Sequence, residues 1–433
     1  MRRMASWLSP PRNPVTLTLD GERVVAERGE PVAAALIAAG KLTLARSPKF
    51  HRPRGPACMR GACDGCLARV GGVPNVMTCL VPAEEGLVIT SQNTLGSREI
   101  DLLRVTDWFF PDGMNHHELF AGVPGVQSAM QLFARRVAGL GRLPDEVKLP
   151  SHARRRNVDV LVVGCGPAGM AAAVALARKG RKVEVVDDAL RPGGGARIFP
   201  DDEDPGFTAI RAGFRRAVAD GVVVVRSRTV AAGFFGRELL VVGEEGAQVV
   251  EAGAFVLAVG AHDGIVPFEN NDFPGVLSAR AACVLLASGV SLGKRVVLFT
   301  PPGGDPSAGE VAFGDVFERT AASTQVTRVD EVVRVKGSTH LRAVVVREGG
   351  RERSLSADAL LVDAPRAPAY ELCQQASATL IHGPAGYAPR LDRGRVADGV
   401  WAIGEVTGAP LAAAPFVRAA EEIAEQVGAA GTA

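Results

Sequence analysis

Residues 15–26, VTLTLDGERVVA, alternate apolar and polar positions on either side of Asp20-Gly21. A period of two broken by Asp-Gly predicts a β-hairpin. The run PVAAALIAAG at 31–40 opens with Pro and closes with Gly, which predicts a short buried helix. Strands are predicted near Leu67–Val70 and Leu87–Thr90, with a turn at Gly71-Gly72. Two strands, a helix and a further strand pair around one loop make a β-grasp pattern. From Val158 the pattern changes. An apolar strand (158–163), a glycine turn, an alanine-rich helix (168–179) and a second strand (183–186) form a βαβ unit. Further strand-like runs lie at 222–225, 254–259, 296–299, 341–346 and 400–403, and a closing helix is predicted near 415–427. This is a doubly wound parallel architecture.

Residues 93–156 follow neither pattern. They hold an aromatic cluster (Trp108, Phe109, Phe110) and His116-His117, and read as a partly helical connector whose aromatics pack between domains. A partner-facing surface is the sharper alternative. Adjacent helical residues point in different directions, so the two His are a poor metal pair. Arg154 to Arg156 read as a solvated linker.

The length of 433 residues suits about three domains. Hydrophobic residues make up 47% and charged residues 22%, ample for sizeable cores, and 50 Gly with 5% aromatics suits nucleotide-binding α/β units. Net charge is +2 with the signs mixed, so nothing points to nucleic acid. No apolar run reaches the ~18 residues of a membrane span. The opening MRRMASWLSPPRNP has no apolar core of a signal peptide. Cys165, Cys283 and Cys373 are scattered and read as reduced core thiols, so a cytoplasmic location is expected.

Cys58, Cys63, Cys66 and Cys79 are different. Their spacing is C-x4-C-x2-C-x12-C. Four thiolates with short gaps and a fourth downstream suit a loop wrapped around a [2Fe–2S] cluster. Gly61 and Gly65 let backbone N–H groups approach the sulfurs. Zinc is the competing reading, but it prefers paired C-x2-C knuckles with a long spacer, and no His lies between Cys58 and Cys79.

Gly164, Gly166 and Gly169 form G-x-G-x-x-G, with Pro167 and Ala168 inside the motif. The motif follows a strand and opens a helix, and Asp187 ends the next strand. Gly164 makes the turn, Gly166 admits a pyrophosphate, Gly169 brings helix and strand together, and Asp187 can accept from ribose hydroxyls. Gly194, in RPGGGARIFP, belongs to the same candidate site. The spacing leaves the dinucleotide open. Two stretches favour FAD: AFVLAVGAHDGIVPF, with Gly260 after a strand, and VWAIGEVTGAP, where Gly404-Glu405 can meet the ribityl chain. A second nucleotide-type domain is expected after KRVVLFT (294–300), but Pro301 and Pro302 occupy its turn. Proline offers no N–H, Gly303 and Gly304 come late, and Asp305 and Glu310 repel phosphate. Tight NAD(P)H binding is not expected there.

These modules, in this order, resemble the α-subunit family of heterotetrameric sarcosine oxidase and the related α-type subunits of hydrogen cyanide synthase, opine oxidase and dye-linked proline dehydrogenase. SPKFHRPRGPACMRGACDGCLARVGGVPNVMTC matches the small ferredoxin-like module, ARRVAGLGRLP its connector, and 157–430 its disulfide-reductase-type flavoprotein module. The expected fold class is α/β plus α+β. A β-grasp 2Fe-2S ferredoxin-like domain (13–92) and a connector (93–156) precede an FAD-binding domain (157–275 and 366–430), which holds an inserted Rossmann-like domain (276–365). The sarcosine oxidase subunits continue into a folate-binding region and this chain stops at 433, so folate chemistry is not implied. Cys373 is the last Cys, so a second cluster is not supported. Family members fill the dinucleotide fold with FAD, NAD or an adenine nucleotide.

The resemblance implies a hetero-oligomer in which a D-amino-acid-oxidase-like β subunit oxidises a C–N bond and electrons pass through flavin to the cluster here. No catalytic proton-transfer residue is assigned to this chain. The alternatives are a self-contained NAD(P)H-dependent reductase and a structural nucleotide-binding subunit without turnover.

Overall fold

The computed structural model describes residues 2–3, 13–47, 51–94, 96–100, 152–199, 204–303, 311–321 and 323–430, with isolated positions between 102 and 146. The aromatic cluster at Trp108–Phe110 and the pair His116-His117 lie outside the described residues.

β1 (Pro14–Leu19) and β2 (Glu22–Glu27) form the predicted hairpin. Asp20 and Gly21 both have positive φ, 51° and 83°, as a tight two-residue connection of this twist needs. α1 (Val32–Ala38) is buried along six of its seven residues. β3 (Leu67–Val70), β4 (Val73–Met77) and β5 (Val88–Thr90) complete a five-stranded sheet in the order β2-β1-β5-β3-β4, with β1 and β5 parallel. β4 adds a strand that the apolar pattern did not show, because only part of VPNVM is apolar and it runs along a sheet edge.

β6 (Arg154–Val163), α2 (Pro167–Arg178) and β7 (Val183–Val186) are the βαβ unit. β6 begins earlier than its apolar run. Arg154–Arg156 are strand, not a linker, because β6 pairs with β11 back to Gln248 and Arg156 meets Glu184 at 2.5 Å. α3 (Pro205–Ala219) leads to β8 (Val223–Arg226). β9 (Val230–Phe235), β10 (Glu238–Gly243) and β11 (Gly246–Leu257) run antiparallel to one another. The sheet order is β8-β7-β6-β11-β10-β9. Parallel pairing of β8, β7, β6 and β11 sits beside an antiparallel extension, so the sheet is mixed.

β12 (Val276–Ser278), α4 (Ala279–Ala287), β13 (Arg295–Phe299), α5 (Phe313–Thr320) and β14 (Gln325–Val329) begin a second parallel unit. β15 (Val332–Gly337), β16 (Leu341–Glu348) and β17 (Arg351–Ser356) form an antiparallel sheet of three, and β18 (Ala359–Val362) returns between β12 and β13. β19 (Val400–Ala402) then rejoins the large sheet parallel to β11, and α6 (Ala413–Ala430) packs on α2. α2 is alanine-rich because it is enclosed: nine of its twelve residues are buried. Among the described residues no helix is long and apolar enough to cross a membrane.

The first sheet's cysteine loop is docked on both larger units. Ser278, which caps α4, donates its N–H to the Ala57 carbonyl at 3.1 Å. Arg54 and Asp272 form an ion pair at 2.5 Å.

Candidate functional site

Cys58, Cys63 and Cys66 lie on the loop entering β3, and Cys79 lies in the turn after β4. Three of these thiols are buried and Cys63 is half-buried. The sulfurs influence one another in series, Cys63 with Cys58, Cys58 with Cys79 and Cys79 with Cys66. Among the described residues no three His, Cys, Asp or Glu side chains converge as a single-metal site. Linked pairs of sulfurs suit two irons, each needing two thiolates. Donation from Cys63 holds the Cys58 thiol well below its ordinary range, and donation from Cys79 does the same for Cys66. The donors Cys63 and Cys79 are pushed up in return. The thiolate is the ligating form, and the two lowered thiols, Cys58 and Cys66, are each partnered by a raised one. The Gly61 N–H also donates to Cys79 Sγ at 3.2 Å.

The glycine turn is built by close approach. A Cβ on Gly164, where φ is +100°, would lie 2.4 Å from the Ala258 carbonyl oxygen. One on Gly169 would lie 2.0 Å from the Gly164 carbonyl oxygen. Gly166 is different: its nearest obstacle is Gly194 Cα at 3.9 Å, so its face is open. α2 starts at Pro167 and Ala168, which turns its unpaired first N–H groups toward that opening. Asp187 accepts from the Cys165 N–H at 2.5 Å and the Ala189 N–H at 3.0 Å. Burial raises its carboxyl, with the neighbouring Asp188 adding to the effect and the Cys165 N–H opposing it.

Gly260 (φ +78°) follows β11, and Gly404 (φ +87°) follows β19. Glu405 is held by arginines. Its Oε1 accepts from Arg366 Nε at 2.6 Å, and its Oε2 lies 4.0 Å from Arg280. Arg280 also donates to Asp263 at 2.7 Å and to the Ala261 carbonyl at 3.1 Å. Both guanidiniums lie over the Phe313 ring, at 5.4 and 5.0 Å. A carboxylate accepts at about four positions, so Glu405 keeps capacity for a ligand hydroxyl.

One cavity of about 690 Å³ joins these parts. Gly164, Gly166, Pro167, Ala168, Asp187 and Gly194 line one stretch, and Gly260 and Glu405 line another. Cys58 and Cys79 of the cysteine loop reach the same space. Cys63, Cys66, Gly169 and Gly404 support it from outside the lining. The residues fit a bound dinucleotide: an open glycine face, a helix N-terminus and a carboxylate after the second strand.

Charged lining residues that the sequence pattern did not single out include Arg60, Asp188 and Arg280. Confinement in the cleft raises the Asp188 carboxyl, and Arg60 opposes that rise. Arg60 lies inside the cysteine motif, which was a usable signal. Arg280 is brought in by α4 and carried none. The remaining thiols are core: Cys165, Cys283 and Cys373 are buried, and burial pushes Cys373 up to about 12.

The inserted unit differs. Pro301 and Pro302 follow β13, and Gly304, Asp305 and Glu310 lie outside the described residues. The Gly314 N–H in the first turn of α5 donates to Asp363 at 2.7 Å, from the end of β18. Arg328 at β14 is bound by Asp315 and Glu318 at 2.6 and 2.5 Å.

Residues 12–94 match the 2Fe-2S iron-sulfur cluster binding domain family, and residues 159–204 match the FAD dependent oxidoreductase family. The sarcosine oxidase subunit alpha of Rhizobium meliloti is 29% identical over 82% of this chain and 41% of its own length. This chain spans 38–41% of the length of the sarcosine oxidase α subunits it matches. Hydrogen cyanide synthase subunit HcnB of Pseudomonas aeruginosa is 33% identical over 31% of each chain. The solved structure of L-proline dehydrogenase from P. horikoshii superposes with a TM-score of 0.72 at 22% identity, covering 99% of this chain and 75% of that one. The last likeness shows the shared fold.

Proposed function

From the chain's similarity to sarcosine oxidase α subunits and its matches to the 2Fe-2S and FAD domain families, we propose that it is the electron-transferring flavin and iron–sulfur subunit of a multi-subunit amine or amino-acid dehydrogenase or oxidase. The observation that carries this reading is the shared cavity. Cys58 and Cys79 reach the same space as Gly166, Gly260 and Glu405. A flavin held there would supply two-electron acceptance and one-electron release, and Gly166, Gly260 and Glu405 would bind and orient it beside the cysteine loop. In this reading a D-amino-acid-oxidase-like β subunit oxidises the C–N bond, and the two chains form a hetero-oligomer. The inserted unit supports it against a self-contained NAD(P)H reductase. Pro301 and Pro302 at the start of its turn have no N–H to offer, and Asp363 occupies the N-terminus of α5.

The test is an anaerobic visible spectrum of the purified full chain before and after NADH or NADPH. Flavin and cluster bands that ignore both nucleotides, yet bleach with a chemical reductant, are the expected result. Rapid bleaching by either nucleotide would overturn the subunit reading.

A further inference from the structure

Arg60 stands inside the cysteine motif but points its guanidinium away from the cluster loop. Its Nη1 donates to the Ala261 carbonyl at 2.6 Å, immediately beyond Gly260. Arg280 donates to the same carbonyl oxygen at 3.1 Å. Arg60 also lines the shared cavity, where the like charge of Arg280 repels it and Asp263, Glu405, Cys58 and Asp188 attract it. A half-buried, fixed positive charge between two redox sites acts on both, because low-dielectric surroundings screen it less than water does.

We infer that Arg60 is a positioning residue that docks the cysteine loop on the flavin side of the cavity and sets the reduction potential of the cluster. The inference rests on the flavin and cluster reading above. In the step concerned, one electron leaves the reduced flavin and one arrives on the oxidised cluster, and no bond is made or broken. The cluster and its thiolates become more negative by one unit. Burial and then the neighbouring Arg280 lower the Arg60 guanidinium from its ordinary value, which starts far above neutral, and its positive charge favours that added negative charge. Its contact with Ala261 fixes the loop against the segment that follows β11, so the charge and the spacing are set by one side chain.

The experiment is a redox titration of the purified full chain, followed by the electron paramagnetic resonance signal of the reduced cluster, for wild type, Arg60→Gln and Arg60→Lys. Loss of the positive charge in Arg60→Gln is expected to disfavour cluster reduction about tenfold, a fall of about 59 mV for one electron. Arg60→Lys keeps the charge and should stay within about threefold of wild type. An Arg60→Gln potential equal to wild type overturns the inference and leaves the proposed function standing. Should Arg60→Gln fail to retain the cluster, Arg60→Lys decides: a wild-type potential supports the inference, and a full tenfold shift overturns it. A wild-type chain with no cluster signal overturns the proposed function instead.

Discussion

The chain contains two parallel βαβ units that part company at the turn after the first strand. In β6–α2–β7 the turn is glycine and its central face is open to a cavity. In β13–α5–β14 the turn begins with Pro301 and Pro302, and a carboxylate from the protein itself sits on the helix N-terminus. Each unit also has a carboxylate following a parallel strand. Glu405, beyond β19, is tied to arginines beside the cavity, whereas Asp363, beyond β18, satisfies α5. The same architecture therefore leaves an open cavity in one place and closes on itself in the other. Secondary structure alone does not make a nucleotide site: open donors do.

The comparison breaks most forcefully at Gly169. A methyl group there would overlap the Gly164 carbonyl at 2.0 Å. Gly169→Ala should cost about 4 kcal/mol or more, in the range reserved for severe packing errors, and release the dinucleotide. Thermal unfolding and the absorbance of bound cofactor after gel filtration measure both. A variant that keeps its cofactor and its unfolding temperature would show that α2 is not pinned to β6 as described.

Glu405 gives the next largest effect. It and Arg366 are both nine-tenths buried, at 10% and 9% exposure. Removing one partner of a buried pair leaves the other charge uncompensated, which costs about 3 kcal/mol. Glu405→Ala should lower stability by that amount and weaken cofactor retention, read by denaturant unfolding and by cofactor release. Stability equal to wild type would mean that Arg366 finds another acceptor, and the carboxylate would then be free for the ligand alone.

Much of this contrast was legible in the chain. The cysteine spacing and the glycine motif are local, since neighbouring residues share one loop. The Asp20-Gly21 hairpin and α2 were legible for the same reason. The strand β4 and the hairpin β9–β10 were not, because their apolar alternation is diluted by Pro74, Asn75 and small or charged residues at the sheet's edges. The site's arginines were illegible for a tertiary reason. Arg60, Arg280 and Arg366 come from the cysteine loop, α4 and the return toward the large sheet, and meet around Ala261 and Glu405 only after all three units pack. Asp363 is a similar case. The prolines announced a poor phosphate cradle, but no spacing rule joins residue 363 to the first turn of a helix that begins at Phe313.

The smallest effect tests that cap directly. Burial raises the Asp363 carboxyl, and the Gly314 N–H only partly opposes the rise. The native state then holds its proton to a higher pH than the unfolded chain does. This contribution to stability is present below the unfolded carboxylate range and is lost as pH rises through the native value. Above that native value the capping carboxylate is charged at some cost. Asp363→Asn keeps an oxygen to accept from Gly314 and removes the charge. It should raise the unfolding temperature at pH 7 by about 2 °C, equivalent to less than about 1 kcal/mol, and the gain should fade as pH falls toward 4. Unfolding curves of both proteins across that range decide it. A variant less stable at every pH would mean that the charge itself holds α5, through the helix dipole rather than against burial, and the closed turn of the inserted unit would then be an electrostatic device rather than a hydrogen-bonded plug.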